Sequence, residues 1–161
     1  MTMKILISYY SRSGNTKKIA EKLAESLPAG TDIERIDDNK KRWGPIGFII
    51  SGFEAQGKKM PKIKDAKFDP SNYDLVIIGT PIWAGLVSSP VRTYLDKYKG
   101  SFKKVAYYCT YGSTGEEKAF NSMEEVSGKK PVATMAITAK EMGEGSYMSR
   151  INKFVEEISA K

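Results

Sequence analysis

Histidine is missing from all 161 residues of the chain. Its absence removes the commonest general base, the commonest metal ligand and every Ser-His or Cys-His nucleophile pair. Redox or group-transfer chemistry in such a chain falls to a bound cofactor. Cysteine occurs once, at Cys109, which excludes an intramolecular disulfide and a multi-cysteine metal site. No apolar run approaches the ~18 residues of a membrane-spanning helix. The first residues lead straight into a strand pattern, without the layout of a secretory signal. These absences imply a cytoplasmic protein with no membrane span. A long basic block is also wanting. The net charge is +7, yet the basic residues are dispersed as Lys40-Lys41-Arg42, Lys58-Lys59, Lys62, Lys64, Lys103-Lys104 and Lys129-Lys130. The acidic pairs Glu116-Glu117, Glu124-Glu125 and Glu156-Glu157 lie among them. That pattern is unlike a nucleic-acid arm, so no nucleic-acid partner is expected. It reads as solvated surface, with a docking face for an acidic redox partner or substrate as the functional alternative. The oligomeric state is left open.

The length suits a single domain, 1–161, with one core. Strand and helix patterns alternate along it. Strands are expected at 3–9, 32–36, 74–79, 103–110 and 132–137, and helices at 15–27, 90–98, 116–127 and 147–160. Between 39 and 73, Ile46, Ile49, Ile50 and Phe53 fall at helical spacing behind Pro45, which gives a short helix followed by a polar loop. Five βα units imply an α/β three-layer α-β-α sandwich with a five-stranded parallel sheet. For five strands the doubly wound order 2-1-3-4-5 is the natural choice, with a ligand crevice at the carboxyl ends of strands 1 and 3.

Three loops meet at that crevice. The first is Ser11-Arg12-Ser13-Gly14-Asn15-Thr16, between an apolar strand and an amphipathic helix. Unpaired N–H groups and the dipole at a helix N-terminus attract an anion, and the surrounding hydroxyls and amide suit a terminal phosphomonoester. Simple capping by Ser13 or Asn15 needs only one of these groups. The loop has neither the spacing of an ATP-binding P-loop nor that of a dinucleotide fingerprint. The second loop is Thr80-Pro81-Ile82-Trp83-Ala84-Gly85-Leu86, where the indole of Trp83 suits stacking on a planar ligand. The alternative is an indole packed beneath the loop. The third loop is Thr110-Tyr111-Gly112-Ser113-Thr114-Gly115, whose N–H groups suit the carbonyl edge of a heteroaromatic ring. Cys109, just before it, reads as a small apolar packing residue.

These three motifs, spread along the whole chain, resemble a short-chain flavodoxin-family protein. The resemblance implies non-covalent FMN and single-electron transfer between redox partner proteins, with the flavin cycling between quinone, semiquinone and hydroquinone. It assigns Ser11, Arg12, Ser13, Gly14, Asn15 and Thr16 to the FMN phosphate. Thr80, Pro81, Ile82, Trp83, Ala84 and Gly85 line the isoalloxazine, with Trp83 stacking. Thr110, Tyr111, Gly112, Ser113 and Gly115 close the other side. The Ala84-Gly85 peptide is the one suited to turn its carbonyl toward flavin N5, because glycine tolerates the flipped dihedral. The chain departs from acidic carrier flavodoxins in its basic balance and in a neutral third loop with an early tyrosine. It also lacks the insertion of long-chain flavodoxins. A second reading on the same fold is an NAD(P)H-dependent FMN oxidoreductase of quinone-reductase type. A relative that oxidises a porphyrinogen is a further enzyme possibility. A response-regulator module is disfavoured, since strand 1 ends in Ser-Tyr-Tyr-Ser rather than in paired aspartates.

Overall fold

The computed structural model describes residues 2–161. Along the chain run β1 (Ile5–Tyr9), α1 (Asn15–Ser26), β2 (Asp32–Arg35), α2 (Gly44–Gln56), β3 (Leu75–Trp83), β4 (Leu86–Val87) and α3 (Ser89–Tyr98). Then come β5 (Val105–Tyr111), α4 (Glu116–Ser127), β6 (Thr134–Thr138), α5 (Ala139–Glu144) and α6 (Met148–Ser159). The parallel strands are ordered β2-β1-β3-β5-β6, and β4 pairs antiparallel with the end of β3. Counting parallel strands alone, this is the expected order 2-1-3-4-5.

The strand sequences explain the three layers. Alternate side chains of a strand face opposite sides, and the central strands are apolar at both parities. Ile5, Ile7, Leu75, Ile77, Ala106 and Tyr108 join the core under α1 and α6. Leu6, Val76, Ile78, Val105 and Tyr107 join the core under α3, with Tyr94 and Leu95. On α1, Ile19, Ala20 and Leu23 are fully buried, the stripe that its periodicity requires.

Two elements differ from the sequence expectation. The third strand does not stop at Gly79. It continues to Trp83, turns within Ala84-Gly85 and returns as β4. Ala84 (φ 51°) and Gly85 (φ 77°) both take left-handed backbone, the conformation of a two-residue hairpin turn whose twist matches that of the strands. Pro81 reads as loop punctuation, yet it lies opposite Thr110 in the parallel ladder. The short helix α5 was not expected at all. It is started by a capping box in which Thr138 Oγ1 accepts from Glu141 N–H and the Glu141 carboxylate accepts from Thr138 N–H.

The short helix expected after Pro45 is present as α2, and its orientation is unusual. Its buried residues are the small ones, Gly47, Ser51 and Ala55. A side chain on Gly47 would collide with the Arg42 backbone. Polar contacts hold the helix where a bulky apolar stripe would normally do so. Arg42 is buried, donates through Nε (3.1 Å) and Nη2 to Asp38, and pairs with Glu54 at 2.6 Å. Glu54 also accepts from Lys40 (2.7 Å) and Ser89 (2.9 Å). The large residues Ile46, Phe48, Ile49, Ile50 and Phe53 are left exposed.

Candidate functional site

The crevice begins where β1 delivers the chain to α1. Gly14, at the N-cap, takes φ 106° and leaves open space where a Cβ would stand. No side chain caps the helix. Ser11 is buried, and its Oγ accepts from Gly14 N–H at 3.0 Å, which fixes the turn. Ser13, Gly14 and Asn15 are exposed, Arg12 is half-exposed, and Thr16 is buried. The first turn of α1 carries no acidic residue, whereas that of α4 carries Glu116 and Glu117. Carboxylates at a helix N-terminus compete with an incoming anion. Of the two glycine-capped helices at this edge, α1 is therefore the one without a carboxylate competing for an anion.

The three sequence loops come together physically. Thr16 Oγ1 and Thr110 Oγ1 share a hydrogen bond of 2.8 Å, which joins the first loop to the third. The Tyr108 hydroxyl donates to the Thr16 carbonyl at 2.9 Å. Its ring lies over Gly79, where any side chain would overlap it. A Cβ on Gly115 would sit 2.8 Å from Gly85 Cα, so the third loop touches the hairpin turn of the second. Tyr111, Gly112 and Ser113 remain accessible beside this contact. Burial, followed by the Glu116 charge, pushes the Tyr111 hydroxyl pKa up. Burial also raises the Cys109 thiol well above its ordinary value, so Cys109 stays a neutral packing group.

The second loop divides into exposed and hidden parts. Pro81, Ile82 and Gly85 are half-buried and Ala84 is exposed. Thr80 lies beneath them, fully buried, with its hydroxyl bonded to Pro81 O (2.7 Å) and Ser88 Oγ (2.8 Å). It supports the hairpin and does not face the crevice. Trp83 is only 4% exposed. Arg42 stacks over its ring at 4.9 Å, and Tyr10 meets it edge-on at 5.4 Å. The expected free stacking platform is thus a wall, packed beneath α2 and already layered with a guanidinium. Among the described residues its indole N–H has no partner. Burial, then the Asp38 charge, pushes Tyr10 up to about 12, so it stays a neutral part of that wall.

Residues outside the three loops complete the site. Phe48 of α2 enters the crevice beside Arg12, Ser13, Asn15 and Thr16. Arg12 lies over the Phe48 ring at 5.4 Å and donates to Arg42 O at 3.2 Å. The hollow at the α1 terminus holds about 150 Å³, below the ~300 Å³ at which small-molecule sites begin. It adjoins an apolar groove of about 230 Å³ along Phe48, Ile49, Phe53, Trp83 and Ala84. A third hollow, about 520 Å³, opens between Ala84, Gly85 and Ser113–Lys118. The first two hollows meet at Phe48 and Trp83, and the third reaches the hairpin turn at Ala84 and Gly85. Phe48, Arg42 and Tyr108 were not singled out as site residues in the sequence. Only the helical spacing around Phe48 gave a hint of α2.

A family model described as Flavodoxin matches residues 48–158. The fold superposes on a flavoprotein from Lactobacillus acidophilus NCFM, solved in complex with FMN, with a TM-score of 0.73 and 30% identity. That match covers 89% of this chain and 99% of the other. An NAD(P)H dehydrogenase (quinone) of Syntrophus aciditrophicus is 30% identical over 115 residues, 69% of this chain and 56% of the relative. One of Cupriavidus metallidurans is 29% identical over 100 residues, 60% of this chain and 47% of the relative. The chain thus spans about half the length of the curated relatives it matches. With five parallel strands in the order 2-1-3-4-5, the uncapped α1 terminus at their carboxyl edge and a family model over two thirds of its length, the chain belongs to the flavodoxin family.

Proposed function

We propose that this chain binds FMN and serves as an electron-transfer flavoprotein. The observation that carries the reading is the α1 N-terminus, uncapped, free of acidic residues and tied to the third loop through Thr16 and Thr110. The residues present fit the group. Gly14 leaves open space where a Cβ would stand, so a ligand oxygen can approach the backbone there. Ser13 and Asn15 stand exposed around it and bond a phosphate together with the first-turn N–H groups. The Pro81–Gly85 segment and the Tyr111–Ser113 loop would flank the planar part, with their backbone groups available to bond its polar edge. Trp83 shapes the floor and Phe48 covers one flank. Bound FMN supplies one- and two-electron redox chemistry, which the protein otherwise lacks. The chain's own part is to bind, orient and partly exclude water.

A second reading is favoured by the two curated relatives named as NAD(P)H dehydrogenases (quinone). On it, the open hollow beside Gly85 and Ser113 admits a nicotinamide donor and then a flat acceptor over the flavin.

One experiment addresses both. The protein is saturated with FMN, desalted, and its visible spectrum followed during anaerobic reduction by light and, separately, by NADPH. Retained flavin that is reduced by light and exchanges electrons with one-electron dyes, but reacts slowly with NADPH, supports the carrier. Rapid stoichiometric bleaching by NADPH supports the oxidoreductase. Loss of all flavin on desalting overturns FMN binding.

A further inference from the structure

The large side chains of α2 have no role in the fold. The helix is held by the Arg42–Asp38–Glu54 contacts and by the close approach of Gly47. Ile46 (74% exposed), Phe53 (71%), Ile49 and Ile50 face outward, and Trp43 at the helix start is 77% exposed, whereas Phe48 turns to the crevice. A contiguous exposed apolar patch marks an interaction surface. We propose that this face of α2 docks the protein, in the plane of the interface, on an anionic lipid bilayer.

Charge and chemistry select this occupant. Exposed lysines stand at both ends of the helix, Lys41 before it and Lys58, Lys59 and Lys62 after it, while Lys40 is paired with Glu54. Their common sign calls for a negative surface. It also opposes a second copy, because a two-fold contact sets one lysine rim against the other. An acidic protein partner would satisfy the charge, yet protein interfaces carry about one hydrogen bond per 100–200 Å². Between Pro45 and Phe53 the only side-chain hydrogen-bonding group is the Ser51 hydroxyl, and it turns inward to Gly47 O at 2.7 Å. A hydrocarbon surface requires no such groups. The backbone donors and acceptors of α2 are largely satisfied within the helix, as burial in lipid demands. Trp43 and the lysines lie where indoles and ammonium groups settle at headgroup level. Thirteen residues make a helix ~20 Å long, too short to cross a bilayer. The docked face adjoins the Phe48–Phe53–Trp83 groove, so the candidate site opens beside the membrane.

The test is sedimentation with extruded vesicles, either of phosphatidylcholine alone or of equal parts phosphatidylcholine and phosphatidylglycerol. It is run with and without added FMN, because docking does not depend on the flavin reading. The expected result is binding to the anionic vesicles, weakened by salt and accompanied by a blue shift of Trp43 emission that Trp43→Phe abolishes. The double variant Ile46→Ser, Phe53→Ser loses about tenfold or more in affinity, and so does Lys58→Glu with Lys59→Glu. Circular dichroism checks that each remains folded, as exposed positions allow. Equal behaviour with both vesicle types, binding that survives the double serine variant, or a stable dimer that buries α2 would each overturn the proposal.

Discussion

At Gly14 the backbone stands at φ 106°, and a Cβ there would touch nothing within 4 Å. Alanine at this position therefore tests conformation and ligand approach, with no steric clash inside the protein. Forcing a residue with a Cβ into this region costs about 1–2 kcal/mol. Gly14→Ala is expected to lower stability by that amount and to weaken FMN binding about tenfold, since the methyl group blocks close approach of the phosphate to the backbone. Quenching of flavin fluorescence in a titration measures the second effect, and unchanged affinity would remove Gly14 from the site. Gly47 is the opposite case. Its Cβ would enter the Arg42 backbone, so Gly47→Ala must push α2 outward. A loss of about 1–3 kcal/mol is expected in denaturant unfolding, together with faster proteolysis near residue 58.

Among the elements, α2 depends on ionisation more than its neighbours do. Glu54 is partly desolvated, which raises its pKa, but hydrogen bonds from Lys40, Ser89 and Arg42 outweigh this and hold its carboxyl below the ordinary 4.5. A carboxylate with a depressed folded pKa stabilises the fold fully above its unfolded value and loses that contribution as pH falls through the folded one. Attachment of α2 should therefore be constant at neutral pH and weaken below about pH 4.5. Trp83 fluorescence, sensitive to the Arg42 layer above it, reports the change. Glu54→Gln should flatten the profile; a profile identical to the parent's would assign the acid transition elsewhere. The behaviour of α2 also shows how far the sequence could be read. The spacing of Ile46, Ile49, Ile50 and Phe53 announces a helix, but periodicity does not say which side meets the protein. That was decided by Gly47, Ser51 and Ala55, whose small size lets the helix approach the Arg42 backbone. The strands and long helices were legible because both strand parities and the helical stripes are strongly apolar. The end of β3 was not, because Pro81 and Gly85 resemble a loop until their pairing partners are known. The glycine- and hydroxyl-rich loops were legible as a group. The burial of Thr80 and Trp83 was not, since it depends on Ser88 and Arg42.

For the whole molecule, the +7 charge bears on redox energetics. Fully reduced flavin is anionic, so nearby cations favour it. One charge ~10 Å away at an effective dielectric of ~30 contributes about 1 kcal/mol, on the order of 40 mV. The final reduction potential is expected to be less negative than in acidic flavodoxins, and to fall as added salt screens the surface. A photochemical titration at two ionic strengths measures both. An equally negative potential without salt dependence would show that local contacts alone set it. The hydroxyl pair Thr16–Thr110 has a consequence for the growing chain. Its members are separated by 94 positions, and β3 must pair with both β1 and β5 before the two loops can meet. At a synthesis rate of about 5–20 residues per second, the crevice stays unfinished for seconds after α1 has emerged from the ribosome. A nascent chain truncated before β5 should therefore fail to retain flavin, however well its first helix has formed.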